Sequence, residues 1–343
     1  MKRVTIKDVA SVAGVSYTTV SRALSGSGEI GEETRKRIVQ IAREMGYSPN
    51  TLARSLVARE TKTIGLVVNN ISSPYTSEVA LYIEEQAWIH GYSLILCNSC
   101  GNVEKEQAAF ELMTGRQVDG IIIHPADEET YCRVLPYAKS TPTVFLNEDM
   151  GELPASYVTI DNYKGTWMGT EYLHSLGHRE IVYFGRRWGK RTRTQRAQGY
   201  SDACENYGLT PRFIDYPHAV TTSHQAYQLA RELFAEGNRF TAVFANTDVM
   251  ALSVLQAADA FGVRIPEDVS LLGFDNIVFS ALPKINLTTI EQPKQAIAAA
   301  AVTMLLERIK LPKTEHRNRV LVPSLVIRDS CRRIDPPREE RAV

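Results

Sequence analysis

Four side chains near the start of the chain have the chemistry to read the edges of DNA bases: Tyr17, Thr18, Ser21 and Arg22. Their hydroxyl and guanidinium groups can hydrogen-bond in a groove of the double helix. They would point outward from one short helix, because the apolar residues Val20, Ala23 and Leu24 form its opposite face. An ordinary surface hairpin shows the same spacing, so the pattern by itself leaves both interpretations open.

Two helices around a tight turn must position these side chains. In the stretch VTIKDVASVAGVSYTTVSRAL, residues 4–24, apolar residues recur at helical spacing. Thr5 and Asp8 predict a capping box for the first helix, and Ser16 is a natural N-cap for the second. Gly14 allows the sharp turn between them. The arrangement is that of a helix-turn-helix.

A third helix and a short linker helix are predicted next. Apolar residues at helical spacing indicate a helix from Glu32 to Gly46, whose exposed side carries Arg35, Lys36 and Arg37. These three could contact phosphates or form a solvated charged face. In the stretch YSPNTLARSL, residues 47–56, Asn50 can cap a helix of barely two turns. A helix this short is marginal in water, so we expect it to order only against a partner.

Strands and helices alternate in the rest of the chain. From Thr63 onward, apolar runs such as TIGLVV, YSLILC and DGIIIH are separated by helical segments, and after Ile160 the alternation restarts. This pattern predicts parallel sheets covered by helices, and its two rounds predict two α/β lobes.

Polar side chains end most of the predicted strands. In open α/β sheets a ligand binds beyond the carboxyl ends of the strands, and amides and carboxylates suit the hydroxyls of a sugar. We expect about half of these side chains to cap the next helix instead. They are Asn69, Asn98, His124, Asn147, Asp161, Asn246 and Asp275.

Composition narrows the classes of function. The chain has 343 residues, enough for two or more domains, and its 39 basic and 39 acidic side chains cancel. Residues 1–59, however, carry ten basic and five acidic side chains, and a basic head on an acidic body is typical of a nucleic-acid binder. No run resembles a signal peptide or a membrane span, and five cysteines suit a reducing cytosol. We therefore expect a cytoplasmic protein that does not bind membranes.

No group of residues indicates catalysis, a metal or a cofactor. Cys97 and Cys100 have redox spacing but no second pair for zinc, and we expect them to be packing residues. His174 and His178 have ligand-like spacing, but Gly177 would end the helix between them. The glycine-rich phosphate-binding motifs and the GxSxG motif are missing from the sequence. We therefore expect neither an enzyme nor a cofactor-binding protein.

Several stretches closely resemble the lactose-repressor and purine-repressor family of bacterial transcription regulators. IKDVASVAGVS-TTVSRAL is similar to the DNA-reading headpiece of that family, and GHREI, PEDVSLLGFDN and LTTIEQP are similar to its core. The resemblance runs to about Asp329, essentially the whole chain. It implies an α/β protein with a small all-α helix-turn-helix headpiece and a two-lobed core, like that of periplasmic sugar-binding proteins, of parallel sheets flanked by helices.

The same resemblance implies a domain organisation. The headpiece would be residues 1–48, the hinge helix and linker 49–61, and the effector-binding and dimerisation core 62–343. The chain would cross between the lobes near Asp161, Glu291 and Val322. Lobe one would be about 62–161 plus 292–321, and lobe two about 162–291 plus 322–330.

DNA contacts also follow from the resemblance. Family members fold the hinge helix on DNA and press a leucine into the minor groove, and Leu56 matches that leucine. Without the match, Leu56 would be interpreted as a linker residue that packs on the next domain. The expected DNA-binding residues are Thr5, Ser16, Tyr17, Thr18, Thr19, Ser21, Arg22, Asn50, Ala53, Arg54 and Leu56.

Effector contacts follow in the same way. Asp275 in GFDN and Arg196 in QRAQGY match the main polar contacts of the family. Lys190 and Thr221 differ from the residues of a purine-binding member, which argues against a purine-specific effector. The expected effector-binding residues are Tyr75, Asn147, Asp161, Lys190, Thr192, Arg196, Thr221, Thr247 and Asp275.

One loop bears on the charge of the effector. Residues 186–196, RRWGKRTRTQR, hold six basic side chains and no acid, and they begin where a predicted strand ends. An anionic effector, such as a sugar phosphate or a sugar acid, would relieve the repulsion between these cations. Alternatively, most of them extend into solvent and only Arg196 faces the cleft.

These observations converge on a sequence-specific DNA-binding transcription regulator, and we expect a repressor. It would bind a palindromic double-stranded operator as a homodimer, controlled by a small-molecule effector, a sugar or sugar derivative, between the two lobes. The charged tail after Cys331 has no leucine heptads with which to build a tetramer. The alternative is a sugar-binding or sugar-processing α/β protein without a DNA role.

Overall fold

The computed structural model describes residues 4–25, 30–47, 60–215, 223–237, 240–312 and 314–334. They divide into two compact units, one on each side of the bond between Thr61 and Lys62. The first unit is an all-helical headpiece, and the second is a core with two six-stranded sheets. Within the described ranges no helix is long and apolar enough to cross a membrane.

The headpiece contains the helices α1 (Ile6–Ala13), α2 (Tyr17–Ser25) and α3 (Glu32–Glu44), and side-chain caps set the starts of the first two. The expected capping box is present, because the Asp8 carboxylate accepts the Thr5 N–H at 2.7 Å and the Thr5 hydroxyl accepts the Asp8 N–H at 3.4 Å. At the start of α2 the Ser16 hydroxyl accepts the Thr19 N–H at 3.1 Å. Gly14 has a φ of 65°, the left-handed conformation that the turn requires. The helix-turn-helix prediction is confirmed.

Helix α3 closes the small core of the headpiece. Val9, Val20 and Ile38, one from each helix, are fully buried. The Arg37 guanidinium donates to the Ala13 carbonyl at 2.5 Å, so this side chain ties α3 to the last residue of α1. Arg37 is therefore not simply a solvated charge or a phosphate contact, as the sequence had suggested.

The first sheet of the core is wholly parallel. Its strands are β1 (Thr63–Val68), β2 (Ser93–Asn98), β3 (Gly120–Ile123), β4 (Thr143–Leu146), β5 (Ser156–Ile160) and β11 (Asn318–Leu321), in the order β11-β5-β4-β3-β1-β2. Its helices are α4 (Pro74–Ile89), α5 (Val103–Gly115), α6 (Glu129–Ala138) and α11 (Lys294–Lys310). Helix α11 packs against α4 and against β3, β4 and β5, so it belongs to this lobe.

The second sheet repeats the pattern with one antiparallel edge. Its strands are β6 (Ile181–Phe184), β7 (Arg212–Ile214), β8 (Ala242–Ala245), β9 (Ser270–Asp275), β10 (Thr288–Glu291) and β12 (Ser324–Val326), in the order β12-β10-β9-β8-β6-β7. Only the β10–β12 pair of this order is antiparallel. Its helices are α7 (Asn162–Ser175), α8 (Arg191–Asn206), α9 (Ser223–Ala235) and α10 (Asp248–Ala260).

Burial explains why the strands read as continuous apolar runs. Every residue of β3, β4, β6 and β8 is buried, as expected for parallel strands covered by helices on both faces. The prediction of two α/β lobes with parallel sheets is confirmed. The chain passes from the first sheet to the second after Ile160, returns after Glu291 and passes again after Leu321. These crossings place strand ends of both sheets at one boundary between the lobes, the cleft, where Asn147, Gln292 and Asp275 lie at the ends of β4, β10 and β9.

Candidate DNA-reading face and effector cleft

The exposed face of α2 carries the side chains expected to read DNA. Tyr17, Thr18, Ser21 and Arg22 are all exposed, while Val20 and Ala23 on the opposite face are buried. Ser16 and Thr19 serve the local structure, since their hydroxyl oxygens lie 2.8 Å apart at the start of the helix. A helix that packs on the protein through one face and exposes polar side chains on the other can enter a major groove.

Other expected contacts fall into two groups. The Thr5 hydroxyl donates to the Asp8 carboxylate at 2.7 Å, so it is engaged within the capping box of α1. The remaining ones lie outside the described residues, namely Asn50, Ala53, Arg54 and Leu56 of the linker and Thr221 of the core.

In the cleft, a chain of hydrogen bonds joins the two lobes. The Tyr75 hydroxyl of α4 lies 3.0 Å from Asn147 Oδ1, beyond β4, and 3.0 Å from Gln292 Oε1, beyond β10. Gln292 Nε2 donates to Asp275 Oδ1, at the end of β9, at 2.6 Å. Tyr75, Gln292 and Asp275 are buried, and the Asn147 amide nitrogen is buried without a hydrogen-bond partner. Within the part of the chain that the structure describes, the cluster therefore contains both an unused amide donor and a buried carboxylate.

Arg196 of α8 is held in one orientation beside this cluster. Its Nε donates to Asn162 Oδ1 at 2.8 Å, and its Nη1 donates to the Asn246 carbonyl at 2.8 Å. The guanidinium lies 3.6 Å from the centre of the Phe274 ring, so it stacks on the residue that precedes Asp275. A fixed planar fork of donors is thus presented close to a buried carboxylate.

The electrostatics of Asp275 reflect its burial. Burial raises the pKa of its carboxyl to about 7, while the Arg196 charge opposes the rise. Ligand hydroxyls that donate to Asp275 would favour the ionised carboxylate. Asp275 and Arg196 together can bind neighbouring hydroxyls, one accepting and the other donating.

Lys190 and Thr192 join the start of α8 to lobe one. The Lys190 ammonium donates to the Pro125 carbonyl at 2.5 Å and lies 3.8 Å from Glu148 Oε2, and both charged side chains are almost completely buried. The Thr192 N–H donates to the other oxygen of Glu148 at 3.4 Å. Burial lowers the pKa of Lys190, and Glu148 opposes that change. Lys190 is therefore a contact between lobes in this structure.

The basic loop is compensated by acids from elsewhere in the chain. Arg187 pairs with Asp215, its Nε donating to Asp215 Oδ2 at 2.7 Å, and its guanidinium stacks on Phe213. Lys190 pairs with Glu148, as described above. At least two of the six cations thus have carboxylate partners that the loop sequence does not contain. The expectation that only Arg196 faces inward is also corrected, because Lys190 is buried.

Two of the expected effector residues cap helices. Asp161 Oδ1 accepts the Lys164 N–H at 2.8 Å at the start of α7, and the Thr247 hydroxyl accepts the Met250 N–H at 3.2 Å at the start of α10. For Asp161 this is the structural use that the sequence predicted for about half of the strand ends, whereas Thr247 follows the strand end Asn246.

Sequence reasoning missed several residues that build the cleft. Gln292 bridges Tyr75 and Asp275, and Asn162 orients Arg196. Gln292 lies in the LTTIEQP stretch, and Asn162 follows Asp161 directly, so both stood next to recognised features. Glu148 left no signal of its own, because its role depends on a lysine 42 positions away.

The histidine and cysteine spacings have structural explanations. His178 is buried and contacts Thr241 and the Arg332 carbonyl, whereas His174 stacks on Tyr207. Cys97 is half-buried, but Cys100 is exposed, so the expectation that both cysteines are packing residues is wrong for Cys100. Among the described residues, no group of three or more potential ligands is placed to hold a metal ion.

Comparison with known proteins finds two matching families. Residues 5–50 match "Bacterial regulatory proteins, lacI family", and residues 170–331 match "Periplasmic binding protein-like domain". The HTH-type transcriptional repressor PurR of Pasteurella multocida (strain Pm70) is 35% identical over 329 residues, which cover 96% of this chain and 98% of that protein.

Solved structures resemble the chain over the same length. The lac repressor dimer bound to operator and the anti-inducer ONPF has a TM-score of 0.85 and 26% identity, covering 96% of this chain and 100% of that one. The complex of the transcriptional regulator CelR with cellobiose has a TM-score of 0.70 and 28% identity, with the same coverage of 96% and 100%.

Proposed function

Because this chain belongs to the lacI family of bacterial regulatory proteins, we propose that it binds a palindromic operator as a homodimer. It is a DNA-binding transcriptional repressor and not an enzyme. We further propose that a small molecule in the cleft between the lobes controls this binding. The observation that carries the proposal is the presence of two sites in one chain. One is the exposed face of α2, and the other is the buried cluster of Asp275 and Arg196.

In the proposed complex, α2 lies in the major groove of the operator. Arg22 donates two hydrogen bonds to a guanine, and Tyr17 and Thr18 reach neighbouring bases. Leu56 inserts into the minor groove, with Asn50, Ala53 and Arg54 beside it. The likeness to a lac repressor bound to operator supports this docking.

Two exposed apolar surfaces of the core support the homodimer. On α4, Trp88 is 71% exposed and Ile89 is 70% exposed, and in lobe two Val278, Phe279 and Leu282 are also exposed. Large apolar side chains that are exposed in this way are stabilised when a second copy covers them. The likeness to a lac repressor dimer supports the same assembly.

For the effector we propose a neutral sugar. Asp275 supplies an acceptor, while Arg196 and the unused Asn147 amide supply donors, which is the mixture that sugar hydroxyls need. The likeness to a regulator in complex with cellobiose supports this class. Because Glu148 and Asp215 compensate Lys190 and Arg187, the basic loop supports an anionic sugar less well than its sequence suggested.

A single binding assay tests both parts of the proposal. DNA fragments that bind the protein are selected from a random pool, and fluorescence anisotropy then gives the affinity for the selected operator. Replacing Arg22 by Ala should weaken binding by about 1–3 kcal/mol and relax the preference at one base pair. An unchanged consensus after Arg22→Ala would contradict this assignment.

A panel of neutral sugars, each tested beside its phosphorylated or oxidised form, is then added to the same complex. One neutral sugar should change the operator affinity of the wild type but not that of Asp275→Asn, which lacks the carboxylate. The matched control Asp259→Asn, on the exposed side of α10, should respond like the wild type. A charged sugar that acts at a lower concentration than its neutral counterpart would overturn the neutral class.

A further inference from the structure

One short segment of lobe two contains both a cleft residue and an apolar surface. Residues 275–282 begin with Asp275, whose carboxylate accepts from Gln292 in the cleft. They end with Val278, Phe279 and Leu282, which are 61%, 44% and 46% exposed. Any shift of this segment would therefore change the cleft and the apolar surface together.

The backbone at the start of the segment is strained. Asp275 has a φ of 126° and Asn276 a φ of 51°, and neither is a glycine. Two consecutive residues in this region persist only if their surroundings hold them. The carbonyl groups of both accept from the Lys294 ammonium, at 3.2 Å and 2.5 Å respectively.

A carboxylate of lobe one also holds this strained backbone in place. Glu78, on α4, accepts the Val278 N–H with Oε1 at 3.0 Å, and its Oε2 lies 3.3 Å from Lys294 Nζ. Lys294 opens α11, which packs on α4, and its side chain is only 8% exposed. Glu78 and Lys294 thus hold the strained backbone from the lobe-one side.

Asp248 holds the same segment from the other side. Its carboxylate accepts the Ile277 N–H at 3.0 Å and the Ser280 hydroxyl at 2.6 Å. Asp248 is on α10 of lobe two, so these bonds would move with the segment if the lobes rotated. The bonds to Glu78 and Lys294 cross between the lobes, and a hydrogen bond does not survive a stretch of more than a few tenths of an ångström.

We infer that Glu78 is a positioning residue that sets the place of the apolar segment 278–282 according to the arrangement of the lobes. A change of the cleft would then reach the surface that a second copy covers. The inference rests on the homodimer of the proposed function, and it adds the residue by which lobe one controls that surface.

Hydrogen exchange and sedimentation test the inference on the full-length chain. Glu78→Ala removes both the acceptor for Val278 and the counter-ion of Lys294. Because a two-fold interface contains the segment twice, we expect the dissociation constant of the dimer to rise by at least about tenfold. We expect faster amide exchange in residues 276–282 under dilute, monomeric conditions.

Two further variants separate positioning from a general loss of structure. Glu78→Gln keeps an oxygen for the Val278 N–H, so its dimer should stay within about threefold of the wild type. Glu205→Ala removes an exposed carboxylate from α8 and should change neither measurement. A Glu78→Ala protein that dimerises and exchanges like the wild type overturns the inference. A wild type that is monomeric at micromolar concentration with operator present overturns the proposed homodimer instead.

Discussion

At the scale of single residues, one hydrogen bond gives the exposed Arg37 a structural role in the headpiece. The sequence places Arg35, Lys36 and Arg37 together on α3, and all three are exposed. Lys36 pairs with Glu32 on its own helix at 3.1 Å, a surface ion pair of small energy. Arg37, by contrast, reaches another helix, because its guanidinium donates to the Ala13 carbonyl at the end of α1.

Replacing Arg37 by Ala should therefore weaken the headpiece itself. The last carbonyls of a helix lack partners within the helix, and a charged hydrogen bond to one of them contributes about 1.5–3 kcal/mol. Hydrogen exchange of the α1 amides, measured at increasing temperature, should show this loss of stability. Arg35→Ala removes the same charge without that bond and serves as the control. Equal loss of headpiece protection in both variants would contradict the role of Arg37.

At the scale of elements, a buried histidine fastens the last described segment to the second sheet. His178 precedes β6, and its Nε2 lies 3.2 Å from the Arg332 carbonyl, so this nitrogen must carry a proton. Its Nδ1 lies 2.9 Å from the Thr241 hydroxyl. Burial lowers the pKa of His178 to about 4, and the charges of Arg332 and Arg179 act in the same direction.

The pH dependence of unfolding should report this histidine. In the unfolded chain the His178 imidazole takes up a proton near pH 6.5, whereas in the folded chain it does so only near pH 4. The contribution of His178 to the stability of the folded state is therefore fully present above pH 6.5. As the pH falls from 6.5 to 4, the free energy of unfolding should decrease by up to about 3 kcal/mol. Urea unfolding of the wild type and of His178→Gln measures it. The variant should be less stable at pH 7.5 and have a flatter profile, and His224→Gln, at an exposed position of α9, serves as the control.

At the scale of the whole core, the two lobes are held together by buried and half-buried polar contacts at the start of α8. Lys190 reaches Pro125 and Glu148, and Gln195 donates to Asp149 at 2.8 Å. Glu148 is completely buried, and burial raises the pKa of its carboxyl while Lys190 opposes the rise. Removing one member of the pair should therefore destabilise the core strongly, because it leaves the other charge buried without a partner.

Removing one charge of this pair should cost more than removing both. Lys190→Met leaves a buried carboxylate without its counter-ion, and the core should lose about 3–5 kcal/mol of unfolding free energy. The double variant Lys190→Met with Glu148→Gln should recover part of that loss. Urea unfolding of the single and double variants measures the coupling energy between Lys190 and Glu148. The control is Lys105→Ala, at an exposed position of α5. Strictly additive losses would show that the pair is not coupled.

The sequence by itself determined what depends on neighbours along the chain. The Thr5–Asp8 capping box, the turn at Gly14 and the buried face of α2 follow from residues one to four positions apart, because helices and caps are closed by such contacts. The alternation of apolar strands and helices likewise predicted two parallel sheets. The strand ends also predicted where a ligand would bind, since parallel strands end at one edge.

Only the tertiary structure decided how charges and amides in the cleft pair. Gln292 meets Tyr75 across 217 positions, and Lys190 meets Glu148 across 42. No periodicity encodes such pairs, because they form where loops from different strands converge after the sheets have assembled. The loop 186–196 therefore read as an uncompensated cation cluster, although folding brings Glu148 and Asp215 against it. Local spacing specifies the elements, whereas the balance of charge in a buried site is a property of the packed lobes.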